Sequence, residues 1–334
     1  MNTLKKISSI FLRKWNYSWN DLSSLAGLNQ QWFQKAMGAR IAVYHGICQT
    51  DHTRFNSIFL QLKTFEAHLQ FYKKYFHVIS LDDYYNQRFS KECFNICISF
   101  DDGFANNYKY VLPLLNKYQV PAVFFITAIR EAGYDILWND FLVLAQKYGP
   151  PKFQIWNNEF YKDRHGRYIS SQNSSLLRDI LQTAGFNRKA ELMQLPELIS
   201  SCKHKDEEDY WLQMTEDEIK MLSTSPFATI GCHGYYHNDL SQLSVNSAKD
   251  EMIHSKHYLE NITGNEINAL AFPYGNYSPE VVAEAKSVGF TRLLTTGFRF
   301  PEDHYNPTLC ERLTIDPYIS INNQMITIIN GRYI

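Results

Sequence analysis

The sequence predicts an α/β fold, built as a parallel sheet or a (β/α) barrel, and three observations support this. Short apolar segments alternate with segments of helical period along most of the chain, which is the order of repeated βαβ units. Polar residues directly follow three of the apolar segments, as they do at the carboxyl ends of barrel strands. The 334 residues are 45% hydrophobic and 20% charged, so the chain can form a sizeable core and is not a disordered protein.

The elements follow one another in a regular order. Strands are predicted at residues 41–44, 94–100, 121–127, 228–232, 270–273, 290–295 and 309–315. Helices are predicted at residues 55–72, 108–118, 248–259 and 279–288. Thr215 with Glu218 forms a capping-box pattern, and Ser278 followed by Pro279 marks a further helix start. This alternation continues to the end of the chain apart from one interruption.

The interruption defines the predicted domain organisation. Residues 129–214 are mixed and polar, and we interpret them as an insertion or cap between two strands of a domain that spans residues 39–334. Residues 1–38 form an N-terminal amphipathic helical segment. Three tryptophans in or beside the insertion are either a platform for a sugar ring or a small satellite core, namely Trp138, Trp156 and Trp211.

Charge and cysteine usage narrow the class of protein. The net charge of −1 gives no basis for a nucleic-acid partner. Six scattered cysteines include no CxxC pair and are typical of free thiols in a reducing compartment, namely Cys48, Cys93, Cys97, Cys202, Cys232 and Cys310. The N-terminus shows neither a long apolar run nor a cleavage site, so we expect a cytoplasmic protein, and a peripheral contact with the inner membrane is one of two alternatives for its N-terminal helix.

Apolar residues near the N-terminus recur at helical spacing. They are Leu4, Ile7, Phe11, Trp15 and Trp19, and they alternate with the basic residues Lys5, Lys6, Arg13 and Lys14. One interpretation is a helix that lies on an anionic membrane and gives residues 1–20 a peripheral membrane contact. The other is a helix whose apolar stripe packs on the body of the protein. The pattern alone leaves both open.

Three polar clusters carry the predicted chemistry. Asp101 and Asp102 follow a buried strand, where two carboxylates are costly to hold unless a cation or a proton neutralises one. His233 and His237 are four residues apart, so on one helical turn they would face the same way and could chelate a metal. The third cluster, residues 272–275 (FPYG), is a turn that could present backbone N–H groups.

These segments resemble a known enzyme family. Residues 98–103 (ISFDDG), 233–237 (HGYYH) and 272–275 (FPYG) are similar to three motifs of the polysaccharide deacetylases, the NodB-homology group of carbohydrate esterases. Residues 43–47 (VYHGI) resemble a segment of the circularly permuted branch, which includes poly-N-acetylglucosamine deacetylases. The resemblance covers about residues 41–127 and 213–316, and it implies a distorted (β/α) barrel of the NodB type with a long insertion.

The resemblance also implies a role for each site residue. Asp102, His233 and His237 would hold one divalent metal ion, zinc or alternatively cobalt or nickel. Asp101 would be the general base, and the backbone N–H of Tyr274 would stabilise the oxyanion. In the permuted branch the general acid is the histidine of the Tyr-His segment, which here is His45. The alternative for His45 is a strand-end histidine bonded to the backbone.

Some residues depart from the family pattern. Gly234 occupies the position of a Ser or Thr that usually braces the metal-binding loop, and Ala271 that of an arginine that orients the base. Arg312 is a candidate substitute that would approach Asp101 from a late strand, with a surface arginine as the alternative. His304 is a second candidate for the general acid.

The implied function is the metal-dependent removal of N-acetyl groups from an amino sugar in a bacterial polysaccharide or glycan precursor. Removal of another acyl group, such as formyl, would use the same residues. A catalytically inactive glycan-binding homologue is a third hypothesis, although the Asp101–Asp102 pair argues against it. Because the family is typically exported and no export signal is visible, the expected partner includes a lipid-linked or nucleotide-linked precursor as well as a growing glycan.

Overall fold

A closed parallel barrel forms the body of the protein. The computed structural model describes residues 2–55, 57–203 and 205–333, and their side chains except those of residues 2–12, 202, 203, 205 and 206. Its strands are β1 (Ala39–Tyr44), β2 (Ile47–Cys48), β3 (Leu60–Gln61), β4 (Phe76–Ile79), β5 (Phe94–Phe100), β6 (Ala122–Ile126), β7 (Lys152–Ile155), β8 (Asn158–Lys162), β9 (Tyr168–Ser170), β10 (Ala228–Cys232), β11 (Ala269–Ala271), β12 (Arg292–Thr295) and β13 (Leu309–Thr314).

The described helices surround this barrel and extend the insertion. They are α1 (Asn2–Leu25), α2 (Gln30–Lys35), α3 (Leu62–Tyr75), α4 (Leu81–Tyr85), α5 (Leu112–Tyr118), α6 (Trp138–Tyr148), α7 (Leu177–Gln182), α8 (Phe186–Met193), α9 (Pro196–Ile199), α10 (Glu216–Ser223), α11 (Val245–Thr263), α12 (Pro279–Ser287) and α13 (Ile321–Asn330). The predicted caps are present, because Thr215 forms a capping box with Glu218 and Ser278 accepts a hydrogen bond from Val281 N.

Seven strands close the barrel in the order β1-β13-β12-β11-β10-β6-β5, with β5 returning to β1, and every neighbouring pair is parallel. β4 pairs with the first half of β5, outside the closed ring. All seven residues of β5 are buried, as expected for a strand covered on both faces. The predicted α/β barrel is therefore confirmed.

Alternation along the strands decides which side chains enter the barrel. Ile41, Cys97, Val123 and Leu294 share one buried cluster, and side chains two residues further along a strand point the same way. Asp101 continues the row of Cys97 at the end of β5. The barrel interior therefore leads directly into the polar residues at its carboxyl end.

The segment between β6 and β10 forms a second layer over this end. It contains the antiparallel sheet β7-β8-β9 and the helices α6 to α9. Its own hydrophobic cluster buries Trp138 and Trp211, whereas Trp156 is half-buried at the edge of the cluster. Trp138 and Trp211 therefore belong to a satellite core. The cluster also takes in Phe59 and Phe104 from loops of the barrel, which joins the two parts.

One helix differs from its prediction. The stripe that starts at Phe55 was expected to be helical throughout, but α3 begins only at Leu62. Leu60 and Gln61 instead form β3, which pairs with β2, and Phe55 packs into the insertion cluster beside Tyr210. Tertiary packing therefore overrides the helical period here.

The N-terminal helix α1 packs on the body through its polar side. Asn20 and Asp21 make hydrogen bonds to Asn323 and Ser320 at the start of α13. Trp15 and Trp19 are 71% and 62% exposed, so the interpretation in which they pack on the body is wrong. The side chains of Leu4, Ile7 and Phe11 lie outside the described residues.

Candidate metal centre and active site

A cavity of about 640 Å³ opens at the carboxyl end of the barrel. The barrel contributes His45, Asp101 and His233 to its lining, and the insertion contributes Asp140 and Arg178. The volume lies in the range of small-molecule sites. The insertion therefore forms one wall of the same cavity that contains the predicted site residues.

Three of these residues form a potential metal site. Asp102 Oδ1 lies 3.4 Å from His233 Nε2 and 3.2 Å from His237 Nε2, and all three side chains are buried. One ligand atom from each residue lies within 4.8 Å of the others. Two imidazole nitrogens and a carboxylate oxygen form a donor set that suits zinc, and also cobalt or nickel. The residues therefore fit the predicted ion.

Hydrogen bonds orient both imidazoles toward this site. His233 Nδ1 lies 2.8 Å from the carbonyl oxygen of Ala271, so Nδ1 donates its proton to this oxygen and Nε2 faces Asp102. His237 Nδ1 lies 3.2 Å from the hydroxyl of Tyr274. Such partners fix the ring orientation of metal-binding histidines.

The two histidines do not lie on a helical turn, contrary to the prediction. Residues 233–239 form a loop after β10, in which Gly234 has φ 77° and His237 has φ 55°. Asp102 and Tyr274 also have positive φ, at 75° and 61°. Non-glycine residues rarely adopt this conformation, and such strain concentrates at functional sites. The histidines converge because the loop turns sharply between them.

Asp101 is held by a buried arginine. Arg312 donates two hydrogen bonds to its carboxylate, Nη1 to Oδ1 at 2.7 Å and Nη2 to Oδ2 at 2.8 Å. The guanidinium also lies 5.2 Å from the ring centroid of Phe125 inside the barrel. The alternative of a surface arginine is therefore wrong.

Charge in the site keeps both carboxylates ionised. Burial would raise the pKa of Asp101, but the Arg312 guanidinium and His233 outweigh burial, and the pKa lies below its usual value. Burial would likewise raise the pKa of Asp102. The charge of His237 and hydrogen bonds from both histidines hold the pKa of Asp102 well below its usual value.

His45 lies at the end of β1 and lines the cavity beside Asp101 and Asp102. Its charge contributes to the lowered pKa of both carboxyl groups. Its backbone carbonyl accepts a hydrogen bond from Asn107 Nδ2 at 2.9 Å, which fixes the chain at this point. His304 is exposed, packs against Phe298 and is not among the residues that line the cavity.

The turn that carries Tyr274 requires glycine at the next position. Gly275 has φ 68°, and a Cβ there would lie 2.1 Å from Thr296 Oγ1 and 2.8 Å from Thr296 N. The hydroxyl of Thr295 donates to the carbonyl oxygen of Gly275 at 2.7 Å. These contacts fix the position of the Tyr274 backbone.

A brace for the histidine loop comes from residues that the sequence analysis did not single out. Lys189 of α8 is fully buried, donates to Asn238 Oδ1, and its Nζ lies 4.7 Å from the ring centroid of Trp138. Asn238 in turn donates to Glu251 Oε1 at 2.6 Å, and Trp138 Nε1 donates to the carbonyl oxygen of His237 at 3.2 Å. No local pattern in the sequence pairs an insertion lysine with this loop.

A model of the polysaccharide deacetylase family matches residues 90–142 and 203–293. The two matched segments include Asp101, Asp102 and both histidines, and the unmatched residues between them lie in the insertion. Among curated proteins, none matches the sequence significantly.

Solved structures share the fold at low sequence identity. The Streptococcus pyogenes deacetylase PplD is 16% identical with a TM-score of 0.56, and the match covers 88% of this chain and 99% of that protein. The Bacillus cereus polysaccharide deacetylase BC0361 is 16% identical with a TM-score of 0.54, and the match covers 88% of this chain and 69% of that protein. A de-N-acetylase from Aggregatibacter actinomycetemcomitans is 15% identical with a TM-score of 0.51, and the match covers 84% of this chain and 96% of that protein. The family match and the shared barrel agree, so the chain is similar to the polysaccharide deacetylases in its two matched segments and in its fold.

Proposed function

We propose that this protein is a metal-dependent hydrolase that removes the N-acetyl group from an amino sugar of a glycan or glycan precursor. The observation that carries the proposal is one cavity in which an arginine-held carboxylate, Asp101, lies beside the Asp102–His233–His237 set. A general base next to a metal site is the arrangement that amide hydrolysis requires.

Asp102, His233 and His237 would hold the divalent ion. When bound, it would supply a Lewis acid for the amide carbonyl and for the attacking water. The Nε2 atoms of both histidines already face Asp102, so these ligands need no rotation of their rings.

The other site residues would manage protons and charge. Asp101 would accept a proton from the attacking water, and each of its oxygens keeps a lone pair beyond the one that Arg312 uses. The water oxygen would bond to the carbonyl carbon, and the Tyr274 backbone N–H would stabilise the oxyanion that forms on the former carbonyl oxygen. The C–N bond then breaks, and His45 would protonate the departing amine, so the products are acetate and a free amino sugar.

The size of the cavity favours a substrate of the size of a sugar. Because the insertion forms one wall of the cavity, its residues would contribute to substrate selection. Arg178 and Asp140 line that wall and would contact groups beyond the acetamide. We propose a precursor glycan handled in the cytoplasm, at or near the inner membrane. A formyl-sugar hydrolase would use the same residues, and only a comparison of substrates distinguishes it.

The test combines metal content with acetate release from N-acetylated glycans. The native protein should bind about one divalent ion per chain and release acetate. Asp101→Asn should keep the ion and lose turnover by about 10²–10⁴-fold, the range that a general base contributes. Asp250→Asn, which alters an exposed carboxylate outside the cavity, is the matched control and should behave as native.

Each contrary outcome has a distinct meaning. Turnover that survives Asp101→Asn would remove this residue from the role of base. Release of formate but not acetate from matched substrates would replace the acyl group in the proposal. Glycan binding without turnover in the metal-loaded native protein would favour the inactive glycan-binding homologue.

A further inference from the structure

The N-terminal helix presents an unusual surface. Among the described side chains, seven of the fourteen large hydrophobic ones that are exposed fall within residues 15–37. We define the exposed apolar face as Trp15, Trp19, Leu22, Leu25 and Leu28, the first four on α1 and the last in the turn that follows. Their concentration in so short a segment is unlike scattered surface hydrophobics and marks an interaction site.

The orientation of α1 is held by specific contacts. Asn323 Nδ2 donates to the carbonyl oxygen of Tyr17 and to Asp21 Oδ1, both at 3.1 Å, and Ser320 Oγ donates to Asp21 Oδ1 at 2.5 Å. Trp15, Trp19 and Leu22 are spaced by four and three residues, so they share the opposite side of the helix. A helix that turns its polar side to the protein and its apolar side outward is built to contact something else.

The charges around the face indicate the occupant. Arg13, Lys14 and Lys35 are exposed, and the sequence adds Lys5 and Lys6 nearer the N-terminus. Asp21 is the one acidic residue in 13–37, and it is engaged by α13. Tryptophan and leucine next to basic residues, in a segment whose single carboxylate is engaged by α13, match an anionic lipid surface. A second copy would bring the same positive charges together.

We propose that the exposed apolar face binds an anionic membrane, with α1 lying in the plane of the interface. None of the described helices is long and apolar enough to cross a bilayer, so the contact is peripheral.

The position of the helix relates this contact to the cavity. β13 ends at Thr314, which lines the cavity, and Tyr318 in the next loop also lines it. Ser320, the partner of Asp21, lies two residues beyond Tyr318. The membrane would therefore meet the protein at the carboxyl end of the barrel, beside the opening where a lipid-carried substrate would enter. Only this last step rests on the proposed function; the membrane contact does not.

The test is flotation of the full-length protein with lipid vesicles. The protein should float with vesicles that contain phosphatidylglycerol. The fraction that floats with pure phosphatidylcholine vesicles should be at least about tenfold smaller, because each basic residue near an anionic surface contributes about 1 kcal/mol to binding. The triple variant Trp15→Ser/Trp19→Ser/Leu22→Ser should lose about a hundredfold in partitioning, since three inserted side chains are removed.

The matched control alters equally exposed apolar residues elsewhere. Met221→Ser/Tyr305→Ser changes side chains that are 55% and 88% exposed, and it should bind vesicles as the native protein does. His233→Ala/His237→Ala should also bind vesicles normally, which separates a failure of this proposal from a failure of the proposed function. All substituted residues of the triple variant are exposed, and circular dichroism would verify its fold.

Three results would overturn the proposal. The native protein could stay with the soluble fraction in the presence of anionic vesicles. The triple variant could float as well as the native protein. Size-exclusion chromatography could show a lipid-free dimer that the triple variant converts to a monomer, which would assign the face to a second copy of the chain.

Discussion

The Arg312–Asp101 pair offers the sharpest test of how the site is held together. Both groups are buried, and Arg312 makes two hydrogen bonds of 2.7 and 2.8 Å to the carboxylate. Replacement by methionine, Arg312→Met, keeps much of the side-chain volume but leaves Asp101 as an uncompensated buried charge. Breaking a buried ion pair from one side costs about 3–5 kcal/mol in the free energy of unfolding.

The assay is urea unfolding monitored by circular dichroism. The protein is metal-free, so that loss of a bound ion does not add to the measured change in stability. Arg292→Met is the matched control, because Arg292 lies on the neighbouring strand β12 and pairs with Asp82, whose side chain is 49% exposed. A pair of this kind contributes about 0–1 kcal/mol. Arg312→Met should therefore lose several times more stability than Arg292→Met.

A double-mutant cycle with Asp101→Asn isolates the pair. Because neutral asparagine no longer needs the guanidinium, the double variant Asp101→Asn/Arg312→Met should lose about 1–3 kcal/mol less than the sum of the single losses. Arg312→Lys keeps the charge without the two-pronged geometry and should lie between native and methionine, which also covers a methionine variant that fails to fold. Equal losses for Arg312→Met and Arg292→Met, with no coupling in the cycle, would refute the reasoning.

Three further predictions test the turn, the loop brace and the core. Gly275→Ala should lower both stability and turnover, whereas Gly264→Ala, which has a similar φ of 67° but open space around it, should cost only about 1–2 kcal/mol of backbone strain; equal unfolding midpoints would contradict the clash. Lys189→Met should weaken metal binding by about 10–100-fold in a chelator competition, while the surface variant Lys152→Met should not; unchanged affinity would dismiss the brace. Burial lowers the pKa of His68 from 6.5 to about 3, so the folded protein holds this ring neutral where the unfolded chain would protonate it. The free energy of unfolding should therefore be at its full value above pH 6.5 and fall by about 1.4 kcal/mol per pH unit between pH 6.5 and about 3. His68→Leu should flatten the free energy of unfolding in this pH range, and an unchanged slope would count against the buried neutral ring.

The barrel could be predicted because its signals are local. The apolar segment at 94–100 is buried at every position and became β5 with those bounds, and the cap at Ser278 precedes α12 as expected. The histidine pair was placed correctly near the carboxylates but on the wrong local structure. A spacing of four residues fits a helical turn, yet the two histidines converge because Gly234 and His237 have positive φ. No sequence pattern predicts a positive φ at a histidine.

Features that depend on distant contacts could not be predicted in the same way. The apolar stripe of α1 is as consistent with packing on the barrel as with exposure. The periodicity shows that the helix has an apolar and a polar face, but it does not show which face contacts the protein. The polar contacts of Asn20 and Asp21 with α13 decide the orientation, and they join residues about 300 positions apart in the chain. Lys189 likewise has no local signal in the sequence, because its contact with Asn238, next to His237, forms only when the insertion folds against the loop.

These long-range contacts explain why the departures from the family motifs leave the site intact. Ala271 lacks the guanidinium that usually orients the base, but Arg312 reaches Asp101 from β13, two strands away in the barrel. Gly234 has no hydroxyl to brace the histidine loop, and Lys189 of the insertion contacts Asn238 of that loop instead. The proposed hydrolysis requires a cation beside Asp101 and a rigid loop under the histidines, and either can come from any element that reaches the cavity. The Arg312→Met and Lys189→Met experiments therefore both test whether residues from other elements replace the missing motif residues. If both variants behave as native, the missing motif residues have no substitutes, and the inactive homologue becomes the better account of this site.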